Sequence, residues 1–192
     1  KTAFDKDNVF EVNAKRLALQ YGRTEKEMDY LMDLTNQLYR ECCHSGYLQH
    51  NPKDWELLER GAKVFNIGEY IELSSASQHT FYLIANQSID GLNHKERVKL
   101  ALLASYKNKD YYQRFAAPFT EWLSREEYRK IREFGAFLKF VYALNVSKRK
   151  IVRAIKMQTK EDYVQLNIYV KNNAAAEKYQ ANRHKKNLER AL

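Results

Sequence analysis

The sequence predicts a mainly α-helical fold: a helical bundle followed by a β-hairpin and a final helix. Apolar residues recur at helical spacing over most of residues 1–145, and the chain has only two prolines to interrupt helices. The run Tyr163–Val170 then changes to alternation of apolar and polar residues. Residues 1–145 are therefore assigned to the bundle and residues 146–192 to the hairpin and last helix, packed as part of the same module.

Two helices are predicted at the start of the chain. Residues 9–21 place apolar side chains at mostly helical spacing until Gly22 ends the run. Thr24 begins the second helix, and Glu27, three residues later, completes the pattern of a capping box. From Met28 to Cys42 this helix carries an apolar stripe opposite a polar face, which predicts an amphipathic helix packed on a core.

Two further helices enclose a glycine turn and a serine-rich loop. After a loop at residues 44–51, a helix is predicted from Trp55 to Phe65, ending near Gly68. Residues 72–77 form a polar connection, and helix resumes from His79 to Asn86. An apolar helix, a sharp stop and a second apolar helix are an arrangement that suits a buried metal site.

The remaining elements follow from local signals. Asn93 and Ser124 each precede a glutamate by three residues, so each predicts a capping box and a helix, with Pro118 interrupting the aromatic stretch between them. The β-branched run at residues 151–157 and the alternating run after the polar turn predict a half-buried hairpin. Residues 174–192 return to helix with a sparse apolar face, made of Ala175, Tyr179, Leu188 and Leu192.

Positive charge is concentrated at the end of the chain. Residues 1–138 contain 20 basic and 20 acidic residues, whereas residues 139–192 contain 13 basic and 4 acidic ones, so the last segment holds the whole net charge of +9. This distribution predicts a polyanionic partner, with a solvated basic tail as the plain alternative. The candidate contact residues are Lys107, Lys109, Lys148, Arg149, Lys150 and Arg153.

Several other classes of protein receive no support from the sequence. The six glycines form no phosphate-binding loop, and no Ser/His/Asp or Cys/His pattern has supporting context. The adjacent Cys42 and Cys43 point about 100° apart on a helix, which predicts free thiols. No apolar run reaches the roughly 20 residues of a membrane span, so we expect a cytoplasmic protein without a membrane partner.

The segments AKRLALQY, LTNQLY, VFNIGE, LSSASQHTFYLIAN and LLASYKNK follow one another along the chain. Their order resembles that of the C-terminal, HD-type helical domain of the exopolyphosphatase/guanosine pentaphosphate phosphatase (Ppx/GppA) family. The family's HDIGH stretch and HHKHSAYLI stretch correspond here to VFNIGE and LSSASQHTFYLIAN. Upstream AKRLALQY and LTNQLY match two more family helices, and LLASYKNK stands where the family has a RYHRK-like stretch. The resemblance covers nearly the whole chain.

The resemblance also shows where this chain departs from an HD metal site. Histidine and aspartate serve such sites because imidazole nitrogens and carboxylate oxygens donate lone pairs to a divalent ion. The His-Asp pair is replaced by Phe65 and Asn66, two further histidine slots fall on Glu27 and Glu69, and His79 is retained. We expect no bound metal or other cofactor. If these three residues have a structural role only, we expect both glutamates on the surface and His79 hydrogen-bonded within the core.

The resemblance implies an accessory domain without chemistry of its own. In the family, catalysis belongs to N-terminal domains of the same parent chain, and this domain helps form a homodimer and extends a basic channel for polyphosphate. Two alternatives remain open. The first is a divergent HD-type phosphohydrolase that acts on a nucleotide through Glu27, Glu69 and His79. The second is a nucleic-acid-binding module, indicated by tyrosines among basic residues near Lys107 and Lys109.

Overall fold

The computed structural model describes residues 6–87 and 89–192, except for the side chains of residues 6–8. The described part of the chain is mainly α, as predicted, with a two-stranded antiparallel hairpin before the last helix. The elements are α1 (Lys6–Gln20), α2 (Glu25–His44), α3 (Pro52–Val64), α4 (Ala76–Asn86), α5 (His94–Ala104), α6 (Lys109–Ala116), α7 (Arg125–Ala143), β1 (Val152–Thr159), β2 (Val164–Val170) and α8 (Ala175–Glu189), with short 3-10 helices at Ile67–Tyr70 and Ala117–Phe119.

Side-chain caps start most of these helices where the sequence predicts. Asn93 and Ser124 both form complete capping boxes with the glutamate three residues later. At Thr24 only half of the predicted box forms: its hydroxyl accepts the N–H of Glu27 at 3.1 Å, but the Glu27 carboxylate lies near Arg23 instead. The predicted box is therefore wrong in one of its two bonds, because a buried cation competes for the carboxylate.

The core of the bundle lies between α2, α3, α5 and α7. Its main cluster combines leucines of α2 with aromatic and aliphatic side chains of α7, and it extends to Val152 and Ile155 of β1 and Leu188 of α8. A second cluster joins α1, the end of α3, α4 and α5 around Phe10 and Ile84. Helix α5 has residues in both clusters and is buried along most of its length.

The hairpin packs against α2 through one edge as well as one face. Its strands pair in antiparallel register from Val152 opposite Val170 to Thr159 opposite Val164. On the outer edge of β1, the N–H groups of Ile155 and Met157 donate to side chains of α2, Gln37 at 2.9 Å and Glu41 at 2.7 Å. Side chains of α2 thus take the place of a third strand along β1.

Helix α8 returns across α7 and closes the fold. Leu188 is buried against the main core cluster, as the sequence predicts for the apolar face of this helix. Tyr179, assigned to the same face, is 65% exposed, so that assignment is wrong. In this part of α8 the buried residue is Glu177, whose carboxylate accepts hydrogen bonds from the backbone N–H and the hydroxyl of Ser147.

Two sequence predictions concern thiols and membranes. Both cysteines are free, as predicted, and burial raises the pKa of Cys42 to about 12. In the part of the chain that is described, none of the helices combines the length and apolar character that a bilayer crossing requires.

Candidate functional site

The turn of Phe65, Asn66 and Gly68, where the resemblance predicts a replaced HD pair, is folded into the core. Phe65 is 4% exposed and lies with its ring centroid 5.4 Å from that of Tyr142. Asn66 adopts a left-handed conformation (φ 57°), which asparagine tolerates better than most residues, and its N–H donates to the carbonyl of Ala104 at 2.9 Å. Gly68 follows where a Cβ would collide with the backbone of Ala76 and Thr80. This turn is thus fixed by packing and backbone hydrogen bonds.

Glu69 is held from three sides. Its carboxylate accepts hydrogen bonds from the hydroxyl of Tyr142, from Nζ of Lys148 at 3.0 Å and from Nδ2 of Asn66 at 3.3 Å. The side chain of Glu69 is only 16% exposed. Burial raises the pKa of Tyr142, and the charge of Glu69 raises it further against the opposing effect of Arg23, so the phenol remains a donor at neutral pH.

Glu27 lies beside a buried cation. Nε of Arg23 is 3.9 Å from Oε1 of Glu27, and both side chains are almost fully buried. The same guanidinium donates to the carbonyl of Lys63 at 3.1 Å and lies 5.5 Å from the ring centroid of Tyr142. Arg23 and Lys148 therefore place positive charge next to Glu27 and Glu69, the two glutamates predicted to occupy histidine slots of the HD pattern.

His79 lies apart from these groups. Its side chain is 34% exposed, and its Nε2 is 3.9 Å from Oε2 of Glu72. Within the described residues, no group of three His, Cys, Asp or Glu side chains is arranged to hold a metal ion, so Glu27, Glu69 and His79 form no such group. The expectation of surface glutamates and a histidine within the core is wrong. Glu27 is buried beside Arg23, Glu69 is mostly buried beside Lys148, and the side chain of His79 is 34% exposed.

A cation-lined cavity opens next to the same turn. It has a volume of about 290 Å³ and lies between the loop at Phe65 and Asn66, α4, α7 and α8. Its basic lining residues are Lys139, His184 and Lys107, and Nζ of Lys107 lies 4.5 Å from the ring centroid of Tyr111. Lys139 enters from α7 and donates a hydrogen bond to the carbonyl of Lys107.

Crowded positive charge perturbs these groups. Burial, with the neighbouring charges of Arg183 and Lys107, lowers the pKa of Lys139 to about 8. Burial, with the charges of Lys139 and Arg183, lowers the pKa of His184 to about 4. Burial is the larger cause of both shifts, and the neighbouring positive charges lower both pKa values further.

A second cavity of about 500 Å³ adjoins the first and shares Tyr106 with it. Its basic side chains are Lys109, Arg132 and Arg190, accompanied by the acidic Asp110 and Glu133. We refer to the two adjoining cavities together as the basic groove. Helix α8 forms one wall of it through a stripe made of Gln180, His184 and Asn187, which recur at helical spacing, and Ala191 in the turn after α8 continues this wall.

The six basic residues predicted from the sequence divide between two places. Lys107 and Lys109 line the basic groove. Lys148 contacts Glu69, and Arg149 donates to the carbonyl of Asn173 at 3.0 Å with Glu177 4.0 Å away. The remaining two, Lys150 and Arg153, lie on the turn before β1 and on β1 itself.

Sequence reasoning missed Lys139, Arg183, His184 and Arg190. The prediction used local density of positive charge, whereas these residues come from two helices that the fold brings together. The stripe on α8 could have been found, because its polar side chains recur at the spacing of one helix face. Lys139 gave no such signal, since it stands within an otherwise apolar helical run.

Comparison with protein-family models gives a match over residues 11–188 to Ppx/GppA phosphatase, domain III. The match extends from α1 almost to the end of α8. The chain belongs to the Ppx/GppA phosphatase family. The resemblance inferred from VFNIGE and its flanking segments is thereby confirmed. In this Ppx/GppA domain, the basic groove lies directly beside the turn that carries Phe65 and Asn66.

Proposed function

We propose that this chain is a non-catalytic accessory domain of a Ppx/GppA-type phosphatase that binds polyphosphate or a similar polyanion and aids dimerisation. The catalytic domains would lie in the same parent chain. The observation that carries the proposal is the basic groove in a domain of this family, lined by basic residues from α6, α7, α8, the loop before α6 and the turn after α8. Residues 1–145 and 146–192 would act as one module, since both parts line the groove.

The side chains around Phe65 support the non-catalytic part of the proposal. Phenylalanine offers no lone pair, and Glu27 and Glu69 are already neutralised by Arg23 and Lys148. A divalent ion would have to displace two cations from a largely buried place. The alternative of a divergent HD-type phosphohydrolase predicts stoichiometric Mn, Fe or Zn that is lost in His79→Ala, and elemental analysis of the purified chain tests this.

The groove favours a flexible chain of phosphates over one compact ligand. Attraction between a polyanion and a row of cations accumulates with each contact, together with the release of bound counterions. Lys107, Lys109 and Arg190 are distributed along two adjoining cavities, which suits several successive phosphates. Asp110 and Glu133 reduce the net attraction in the second cavity.

Titration with fluorescently labelled polyphosphate at low salt tests the binding. Each lysine or arginine near an anionic surface contributes about 1 kcal/mol, so replacing Lys107, Lys109 and Arg190 together with glutamine should weaken affinity on the order of 100-fold. The slope of log affinity against log salt should also become shallower. Glutamine at Lys148, Arg149 and Lys150 should cost less, because two of these residues already have partners in the chain.

A matched triple variant, Lys26→Gln, Lys53→Gln and Lys160→Gln, removes the same charge from positions that do not line the groove. Equal loss of affinity in this control and in the groove variant would contradict the proposal, since attraction would then follow net charge alone. The nucleic-acid alternative predicts tight RNA or DNA binding that long-chain polyphosphate does not displace.

The outer edge of β2 supports the dimerisation part of the proposal. Edge strands are usually protected by charged residues or proline, yet Val164–Val170 contains neither. Side chains of α2 accept hydrogen bonds from the outer edge of β1, and in the described chain β2 has β1 as its one partner strand. A second copy of this uncharged strand could pair with it in antiparallel register.

A further inference from the structure

The cavity beside Asn66 combines partly buried basic residues with a lining that contains no acidic residue among the described residues. Lys107, Lys139 and His184 contribute to its lining, with Arg183 close enough to act on both Lys139 and His184. The described residues that line the cavity include no carboxylate. Buried cations are normally paired with a negative group, because an unpaired charge is costly to remove from water.

The size of the cavity limits what could supply that negative charge. A volume of about 290 Å³ is at the lower end of the roughly 300–1,000 Å³ typical of small-ligand sites. Taken alone, this one cavity suits a single small anion, whereas a chain of phosphates would need both cavities of the basic groove. Hydroxyl and amide side chains complete the lining, which is suitable for oxygen atoms of an oxyanion: Asn66, Ser74, Ser77 and Gln180.

We propose that this cavity is a binding site for a single tetrahedral dianion, a phosphoryl group held by Lys107, Lys139 and His184. The proposal goes beyond the polymer-binding function, because it requires one phosphoryl group only. Inorganic phosphate, the end of a phosphate chain and a nucleoside monophosphate share this chemistry. The site lies where α7 and α8 meet the turn of the former HD pair, so an occupant would link these three elements.

Anion binding here should be coupled to proton binding. A dianion favours the charged forms of Lys139 and His184, whose pKa values are lowered to about 8 and about 4 in its absence. Other charged or titratable groups that face the pair are Lys107, Arg183 and the phenols of Tyr106 and Tyr142. Affinity should therefore fall as the pH rises above about 8, and it should increase as the pH falls towards 5.

Sulfate is the suitable probe, because it stays a dianion throughout this pH range. We would titrate the full chain with sulfate by calorimetry at pH 5, 6.5 and 9, in two buffers of different ionisation enthalpy at each pH. The expected result is proton uptake on binding near pH 8–9 and again near pH 5. Affinity should be about 10-fold weaker at pH 9 than at pH 6.5 as Lys139 loses its charge.

Three variants assign these effects. Lys139→Met should weaken sulfate binding at pH 6.5 by about 10- to 100-fold, since it removes one charge-assisted hydrogen bond. It should also abolish the decrease in sulfate affinity above pH 8. His184→Gln should abolish the increase in sulfate affinity towards pH 5 and keep the decrease in affinity above pH 8. Lys160→Met, on the hairpin turn, should leave both pH-dependent changes in sulfate affinity as they are in the unmodified chain. Thermal melts without sulfate check that Lys139→Met remains folded, since it also loses the hydrogen bond to the carbonyl of Lys107.

Absence of sulfate and phosphate binding in the unmodified chain would overturn the proposal. The proposal would also be overturned if sulfate affinity depended on pH in the same way in Lys139→Met and in the unmodified chain. Orthophosphate, tripolyphosphate and adenosine monophosphate, titrated separately, would identify the natural source of the phosphoryl group. A chain that binds sulfate at this site but no long polyphosphate would retain this inference and lose the polymer-binding function. A chain that binds long polyphosphate but no sulfate at this site would retain the polymer-binding function and lose this inference.

Discussion

Lys148 pairs with Glu69 across 3.0 Å and so joins the turn after α7 to the turn that follows α3. The two partners are unequally buried, with 58% of the Lys148 side chain exposed and 16% of that of Glu69. The hydroxyl of Tyr142 donates to the same carboxylate oxygen. Glu69 is thus the centre of this contact, and Lys148 is its solvent-facing member.

Replacing the two partners should have unequal effects on stability. Glu69→Ala leaves the hydroxyl of Tyr142 without its acceptor, so we expect a loss of about 1–3 kcal/mol in the free energy of unfolding. Lys148→Met removes an exposed ion pair and should cost less than about 1 kcal/mol. Urea denaturation measures both. A larger loss for Lys148→Met than for Glu69→Ala would show that the ion pair dominates the contact.

The buried pair of Arg23 and Glu27 should be more sensitive. Arg23→Met leaves the carboxylate of Glu27 buried without its cation, and the expected loss is about 3–5 kcal/mol in unfolding free energy. The double variant Arg23→Met/Glu27→Leu removes both charges and should recover most of this loss. Chemical denaturation of the three proteins completes the comparison. No recovery in the double variant would mean that packing of Arg23, rather than its charge, matters.

Acid stability should depend on Glu127. Burial alone would raise its pKa, but hydrogen bonds from Lys99, the backbone of Ser124 and Lys95 lower it to about 2. A carboxyl group with a lowered pKa in the folded state stabilises the fold above its unfolded pKa of about 4.5, and this contribution is lost as the pH falls towards 2. Glu127→Gln should therefore flatten the fall in melting temperature over this range.

The neighbouring Glu126 provides the control for this measurement. It is exposed and occupies the same first turn of α7, so Glu126→Gln removes an equal charge near the same helix end. Thermal melts between pH 5 and 2 should follow the parent protein for Glu126→Gln. If both variants flatten the curve equally, the effect comes from the helix end and not from the lysine contacts.

The proposed pairing of β2 with a second copy can be tested by adding charge. Asn167→Lys introduces the kind of residue that protects edge strands, so it should shift a dimer towards monomer. Light scattering coupled to size-exclusion chromatography over a range of concentrations gives the mass. Lys160→Glu on the hairpin turn is the control for a nearby charge change. A dimer that persists unchanged in Asn167→Lys would exclude the β2 edge as the interface.

Local signals in the sequence predicted most of the secondary structure. The boxes at Asn93 and Ser124 involve residues three positions apart, so their geometry depends on little else. The box at Thr24 failed in its second bond because Arg23 competes for Glu27, and this cation is buried only once α2 and α3 have packed. The prediction that Tyr179 lies on the buried face of α8 failed for a similar reason. Helical spacing defines a face, but the neighbouring elements decide which face is covered.

The candidate site was predictable only in part. Lys107 and Lys109 could be selected from charge near tyrosines, whereas Lys139 and His184 are 45 residues apart and meet only where α8 crosses α7. Charge density along the chain also favoured Lys148 and Arg149, which the fold places beside Glu69 and Glu177. A count of cations cannot reveal which of them already have a carboxylate partner.

The sequence by itself determined the helical class, the hairpin, the helix starts at Thr24, Asn93 and Ser124, and the family, because these depend on residue types and short spacings. Tertiary structure decided the electrostatics. It placed Arg23 beside Glu27 and Lys148 beside Glu69, and it gathered Lys107, Lys139 and His184 around a cavity whose described lining has no carboxylate. Burial and long-range proximity determine the energy of a charge, and both arise only when distant helices pack together.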